Sequence, residues 1–215
     1  MLPGIDVSKY QGLVDWERVA EAGVRFSFIR TGDGIDHTDP LFGRNWEGAH
    51  KASVLRGPYH FLRCSVSPQL QADALIDSVY RAGIYLVDDL PPVCDLELDS
   101  MGAGVTAPRA IECALAFAAS ISSRIGRAPI LYTSPAMLRV LGKDADRLGT
   151  RFPTLFIAHY GVERPSVLPP YNAWAFWQYS CSGSVDGVPG PVDLDWFNGD
   201  EAALRDLVEI SEVLA

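Results

Sequence analysis

Short apolar runs alternate with helix-length amphipathic runs along most of this chain of 215 residues. That alternation is the pattern of parallel strands joined by helical crossovers. Strands are expected at Pro3 to Val7, Phe26 to Arg30, Arg56 to Phe61, Pro92 to Leu98 and Ile130 to Thr133. Helices are expected between and after them, at about Asp15 to Ala22, Leu41 to Ala52, Ser67 to Arg81, Thr106 to Ile125 and Pro135 to Leu141. Ser67-Pro68 and Thr106 with Pro108 are capped starts with proline in the first turn, and Gly23 and Gly126 are stop signals. Beyond Leu141 the alternation breaks down. Leu155 to His159, Ala175 to Tyr179 and Val192 to Leu194 read as strands joined by Pro- and Gly-rich loops, before a terminal helix at about Glu201 to Glu212. The expected fold is therefore α/β: an irregular (β/α) barrel with eight strands and fewer helices, its last strands joined without helices. A doubly wound open sheet is the alternative.

Hydrophobic residues make up 48% of the chain and no linker-like stretch interrupts it, so residues 1–215 are expected to form one domain. Eighteen basic residues against 27 acidic ones give a net charge of −9 without a Lys/Arg block, which argues against a nucleic-acid partner. The chain enters a strand directly after Met1-Leu2, without a basic segment and apolar core, so no signal peptide is expected. No apolar run approaches the roughly 20 residues that span a bilayer, so no membrane partner is expected and synthesis is assigned to the cytoplasm. Cys64, Cys94, Cys113 and Cys181 form no CxxC pair and read as buried, reduced thiols.

Chemistry concentrates at Pro91-Pro92-Val93-Cys94-Asp95-Leu96-Glu97-Leu98, where two acids end an apolar run. Side chains at i and i+2 of a strand share a face, so Asp95 and Glu97 are expected to enter one cavity. Crowding and desolvation there raise one pKa and leave a proton donor beside an ionised partner. In a parallel barrel, ligand-facing groups sit at the C-terminal strand ends. That rule gathers Asp6, Tyr59, His60, Asp95, Glu97, Tyr132, His159, Gln178 and Asp193 on one rim, with Trp174, Trp177, Tyr179 and Trp196 nearby.

Acids beside aromatic faces suit glycoside chemistry, which needs a proton for the leaving oxygen and a group that stabilises an oxocarbenium-like centre. Asp193-x-Asp195 with Asp95-x-Glu97 also admits a metal-dependent hydrolase, although the interleaved glycine of a calcium loop is missing. His37, His50, His60 and His159 show no HExxH spacing, and no G-x-S-x-G elbow occurs. Thr31-Gly32-Asp33-Gly34 lacks the Lys of a phosphate loop. No metal or other cofactor is expected.

Several motifs follow one another along the chain: Gly4-Ile5-Asp6-Val7-Ser8-Lys9-Tyr10-Gln11-Gly12, Asp15-Trp16, Tyr59-His60-Phe61, Asp95-Leu96-Glu97, Trp177-Gln178-Tyr179-Ser180 and Val192-Asp193-Leu194-Asp195-Trp196-Phe197. Together they resemble family 25 glycoside hydrolases, the Chalaropsis-type lysozymes. The resemblance implies an irregular barrel and N-acetylmuramidase activity on the β-1,4 bond between N-acetylmuramic acid and N-acetylglucosamine in peptidoglycan glycan strands. It makes Glu97 the general acid/base, Asp95 its companion, and Asp6 and Asp193 the acids of the first and last strands. Tyr59, Tyr132, Gln178, Trp177, Asp33 and Asp195 are expected to contact substrate. Retention with help from the substrate's acetamido group, oriented by Asp95, is the expected mechanism; a direct enzyme nucleophile and a non-catalytic glycan-binding module remain open. Relatives often carry a glutamate directly after this Thr, where the chain has Thr31-Gly32-Asp33-Gly34; either Asp33 substitutes for it or the groove differs there. The expectation is a monomeric catalytic domain without a visible wall-binding module, acting at the bacterial wall; with no signal peptide expected, it fits a phage endolysin released on lysis, a virion-associated lysin or a piece cut from a longer protein.

Overall fold

The computed structural model describes residues 1–82 and 88–208. Nine strands are present among them: β1 (Leu2–Val7), β2 (Phe26–Asp33), β3 (His37–Thr38), β4 (Leu55–Phe61), β5 (Val93–Asp95), β6 (Ile130–Thr133), β7 (Leu155–Ala158), β8 (Phe176–Gly183) and β9 (Val192–Phe197). Helices α1 (Trp16–Glu21), α2 (Phe42–Lys51), α3 (Pro68–Arg81), α4 (Leu98–Met101), α5 (Ala107–Ile125), α6 (Pro135–Leu141) and α7 (Glu201–Asp206), with 3₁₀ helices at Lys9–Gln11 and Gly142–Arg147, complete the order. The continuation of the terminal helix to Glu212 lies outside the described residues.

The sheet runs β1-β9-β8-β7-β6-β5-β4-β2-β3, and a β1–β2 pairing closes eight of these strands into a barrel. The open-sheet alternative is thereby excluded. The two-residue β3 was not expected; it folds back antiparallel on the end of β2. Pairings from β1 through β2 and on to β8 are parallel, but β9 runs antiparallel to both β8 and β1. No helix intervenes between β7 and β8 or between β8 and β9, as the Pro- and Gly-rich spacing predicted.

Alternation sorts side chains cleanly. Phe26, Phe28, Val93, Ile130, Tyr132, Phe156, Phe176 and Phe197 fill the barrel interior, with Phe28 and Phe176 ring centroids 5.0 Å apart, edge to face. Ile5, Val7, Ile29, Cys94, Leu131, Ile157 and Trp177 face outward into the helix layer, where α3 and α5 supply Leu75, Ile76, Val79, Ile111, Phe117 and Ile121. Gly4 leaves β1 bare where Phe26 crosses it: a Cβ there would stand 2.2 Å from the ring. Caps hold the helices, at Ser67 and Thr106 as the sequence implied and at Ser134 in addition. Ser67, Thr106 and Ser134 side chains accept from the backbone N–H of Leu70, Arg109 and Met137, and Gly126 ends α5 in a left-handed conformation with φ 69°.

Cys64, Cys94 and Cys113 are free and buried, while Cys181 is free but exposed, which corrects its expected burial. No helix of the described residues is long and apolar enough to cross a membrane.

Candidate active site

One end of the barrel opens into a cavity of about 250 Å³. Asp6, Asp95, Glu97 and Asp193 line it together with Tyr59, Tyr132 and Gln178. The routes by which these side chains arrive differ from the expected ones in two places. β5 ends at Asp95, so Glu97 lies beyond the strand and strand alternation does not place it. Leu96 N donates to Tyr132 O at 2.9 Å and Glu97 N to Ser100 Oγ at 2.9 Å, turning the chain into α4 while the Glu97 carboxyl stays over the cavity. Asp193, in turn, stands near the start of a reversed strand, which puts it on the same rim as the C-terminal ends of its parallel neighbours. Its Cα partner across the β1–β9 pairing is Asp6.

Gln178 ties these groups together. Its Nε2 donates to Asp6 Oδ2 at 2.5 Å, and its Oε1 accepts from Tyr132 Oη at 2.8 Å and also from Tyr160 Oη. The amide thereby orients one carboxyl of the cluster from a position only 3% exposed. Tyr160, 44% exposed, was not anticipated because it lies two residues past β7 in an irregular loop. Arg30 was also missed. It lies within the otherwise apolar β2, and only the cavity reveals that its guanidinium faces the acids.

Burial governs the protonation of this cluster. Desolvation lifts Asp6 and Asp95 well above the usual carboxylate range, reinforced at Asp6 by the charge of Asp193 and at Asp95 by that of Glu97. Glu97 and Asp193 are raised as well, again chiefly by burial, with hydrogen bonds from Asp95 and Asp6 pulling the other way. Arg30 opposes the rise at Asp95 and Glu97. The physical result is two hydrogen-bonded carboxyl pairs, each of which retains a proton at a pH where isolated carboxyls are ionised.

The remaining expected residues fall outside the cavity. Trp177 points outward: its Nε1 donates to His159 O at 2.8 Å and its ring packs against Trp174 and Tyr179. Trp196 stacks on Tyr179 in that same outer layer. Strand alternation explains the correction, since Gln178 takes the inward position. His60 likewise faces outward, where burial lowers its pKa to about 4 and Nε2 meets Gly34 O at 2.9 Å. The His159 ring accepts from Ser166 N at 3.0 Å through Nδ1. Asp195 does face inward, two positions along β9 from Asp193, but it is 1% exposed and does not border the cavity. Neither of its carboxyl oxygens has a hydrogen-bond partner among the described residues. Asp33 borders a neighbouring cleft instead, its carboxylate gripped by Arg63 at 2.6 and 2.7 Å and by Arg30 at 3.2 Å. Partial burial works against ionisation there, yet the two guanidinium groups hold Asp33 below its ordinary value. No three His, Cys, Asp or Glu side chains among the described residues are arranged to hold a metal ion.

Comparison with known proteins agrees with this geometry. Residues 5–188 match the glycosyl hydrolases family 25 model. Lysozyme M1 of Streptomyces globisporus is 34% identical over 207 residues, covering 94% of this chain and 69% of that protein. The N,O-diacetylmuramidase of a Chalaropsis species is 29% identical over 206 residues, covering 88% and 95%. The crystal structure of the bacterial lysozyme from Streptomyces coelicolor superposes with a TM-score of 0.87 at 32% identity, over 96% of each chain. The chain belongs to family 25 of the glycosyl hydrolases.

Proposed function

We propose that the cavity cleaves the β-1,4 bond between N-acetylmuramic acid and N-acetylglucosamine in peptidoglycan, with Glu97 as general acid/base. The protein is a glycosidase of the lysozyme type, acting at the cell wall. The observation that carries the division of roles is the convergence of two carboxyl pairs, Asp95 with Glu97 and Asp6 with Asp193, in one cavity, where burial favours their protonated forms.

In the empty site, burial favours the proton on Asp95, the more enclosed member of its pair. A bound acetamido N–H donating to Asp95 stabilises that carboxylate and passes the proton to Glu97. Glu97 then gives it to the bridging oxygen as the C1–O bond breaks, while the acetamido oxygen closes on C1. Water reopens the ring so formed, and Glu97 takes a proton from that water, so configuration is retained. Asp6 and Asp193, oriented by Gln178, supply negative charge to the developing oxocarbenium centre.

Purified protein is added to peptidoglycan and the new reducing ends are identified. Reducing ends on muramic acid are expected. Reducing ends on glucosamine would reassign the bond, and none would favour a binding module.

A further inference from the structure

Two open clefts adjoin the catalytic cavity, about 310 and 560 Å³ in volume, and both share Arg30 with it. The wall between them is rigidly built. Arg30 and Arg63 both lie over the Phe61 ring, 5.4 and 4.4 Å from its centroid, and both hold Asp33. Every Arg63 nitrogen is engaged, since Nη1 donates to Asp99 O at 3.0 Å. Lys9 differs. Its backbone is fixed, Lys9 N donating to the buried Asp39 Oδ2 at 2.7 Å, but its ammonium forms no ion pair among the described residues. It extends over Tyr10, 5.3 Å from the ring centroid, and Tyr10 is 74% exposed. Leu98, 47% exposed, stands across the larger cleft. In a protein of net charge −9, these clefts combine an uncommitted cation with exposed apolar surface beside the acids.

We propose that these clefts hold the substituent on C3 of the muramyl ring, with Lys9 recognising its carboxylate and Tyr10 and Leu98 packing on its apolar part. This rests on the muramidase reading above. Glucosamine units carry no such group, so the clefts set the register of the glycan strand across Glu97. The carboxylate belongs either to the peptide or, where the peptide is absent, to the lactyl ether itself.

The test is the ratio of kcat/KM on soluble muramyl glycan to that on the same glycan with its carboxylates converted to methylamides. It is measured for the native protein, Lys9→Glu and Lys9→Arg, on peptide-bearing strands and on strands stripped of peptide by an amidase. The native ratio should exceed one. Lys9→Glu should lower it about three- to tenfold, through KM, with the effect shrinking as salt rises, as for a partly exposed charge pair. Lys9→Arg should restore most of it. A contrast confined to peptide-bearing strands assigns the carboxylate to the peptide, and one that persists on stripped strands assigns it to the lactyl group. A ratio that Lys9→Glu leaves unchanged on both strands overturns the proposal, as does an equal loss on native and amidated glycan. If the native protein releases no muramic acid reducing ends from any strand, it is the muramidase reading that falls.

Discussion

Asp195 offers the sharpest check on the electrostatics of the barrel. Its carboxyl is sealed beneath the cavity, 1% exposed, without a hydrogen-bond partner for either oxygen among the described residues. Burial first, then the charges of Asp6 and Asp193, raise its pKa well above the usual value. A folded-state pKa above the unfolded one means that the folded state binds more protons. Stability is therefore complete below the unfolded pKa and declines as pH rises toward the folded one. Each pH unit of that window costs about 1.4 kcal/mol, so between about pH 4 and pH 7 the penalty reaches at most about 4 kcal/mol. Asp195→Asn preserves the shape and removes the titration. It should raise Tm at pH 7, by about 2–4 °C for each kcal/mol recovered in a chain of this size, and leave it nearly unchanged at pH 4. Thermal unfolding followed by calorimetry at pH 4, 5.5 and 7 measures this. A loss of stability that is equal at all three values would refute the reasoning, because it would show that the fold depends on a specific carboxyl contact at Asp195 rather than tolerating a buried acid.

Other consequences are as direct. Arg30→Met removes the cation that favours ionised Asp95 and Glu97, so the pair should hold its proton to higher pH and the alkaline limb of the kcat profile should move upward. A limb that stays in place or moves down argues that Arg30 does not act on the pair. Gln178→Leu strips Asp6 of its donor and leaves the Tyr132 hydroxyl without its acceptor, for which about 2–4 kcal/mol of stability and a large drop in kcat are expected. Urea unfolding and turnover of the variant check both. Gly4→Ala drives a methyl to 2.2 Å from the Phe26 ring and should cost at least about 1–3 kcal/mol in urea titration. An unaffected midpoint contradicts the packing described for the barrel interior. Asp95→Asn should slow hydrolysis severely on the acetamido mechanism, and a loss of only a few-fold would favour direct attack by an enzyme carboxylate.

The barrel was legible because its signals are local. The Ser67 and Thr106 caps and Gly126 fixed helix ends within a residue or two, and the two-residue period placed Phe26 and Phe28 on one face. What stayed hidden depends on pairings distant in sequence. The reversal of β9 leaves no mark within Val192 to Phe197 itself; it follows from a hairpin return that local periodicity does not encode. Asp193 was placed on the correct rim by a rule for parallel strands that does not apply to its strand. Trp177 and Gln178 are adjacent, so only one of them can look inward; both were expected to contact substrate, and the register of β8 gives that place to Gln178 alone. Arg30 and Tyr160 gave no motif signal because their role comes from where Asp95 and Gln178 meet them across the barrel. Asp33 shows the same limit from the other side: an acid at the end of β2 is committed to Arg30 of its own strand and to Arg63 of the loop after β4.

The division of labour in the cavity rests on Glu97, and Glu97→Gln tests it with almost no change in shape. The variant should keep the native Tm within about 1 °C for each few tenths of a kcal/mol of altered stability and still bind glycan, while releasing no measurable muramic acid reducing ends from peptidoglycan. Substantial release by a folded Glu97→Gln protein would contradict the assignment of the proton to Glu97 and move it to another carboxyl of the cluster.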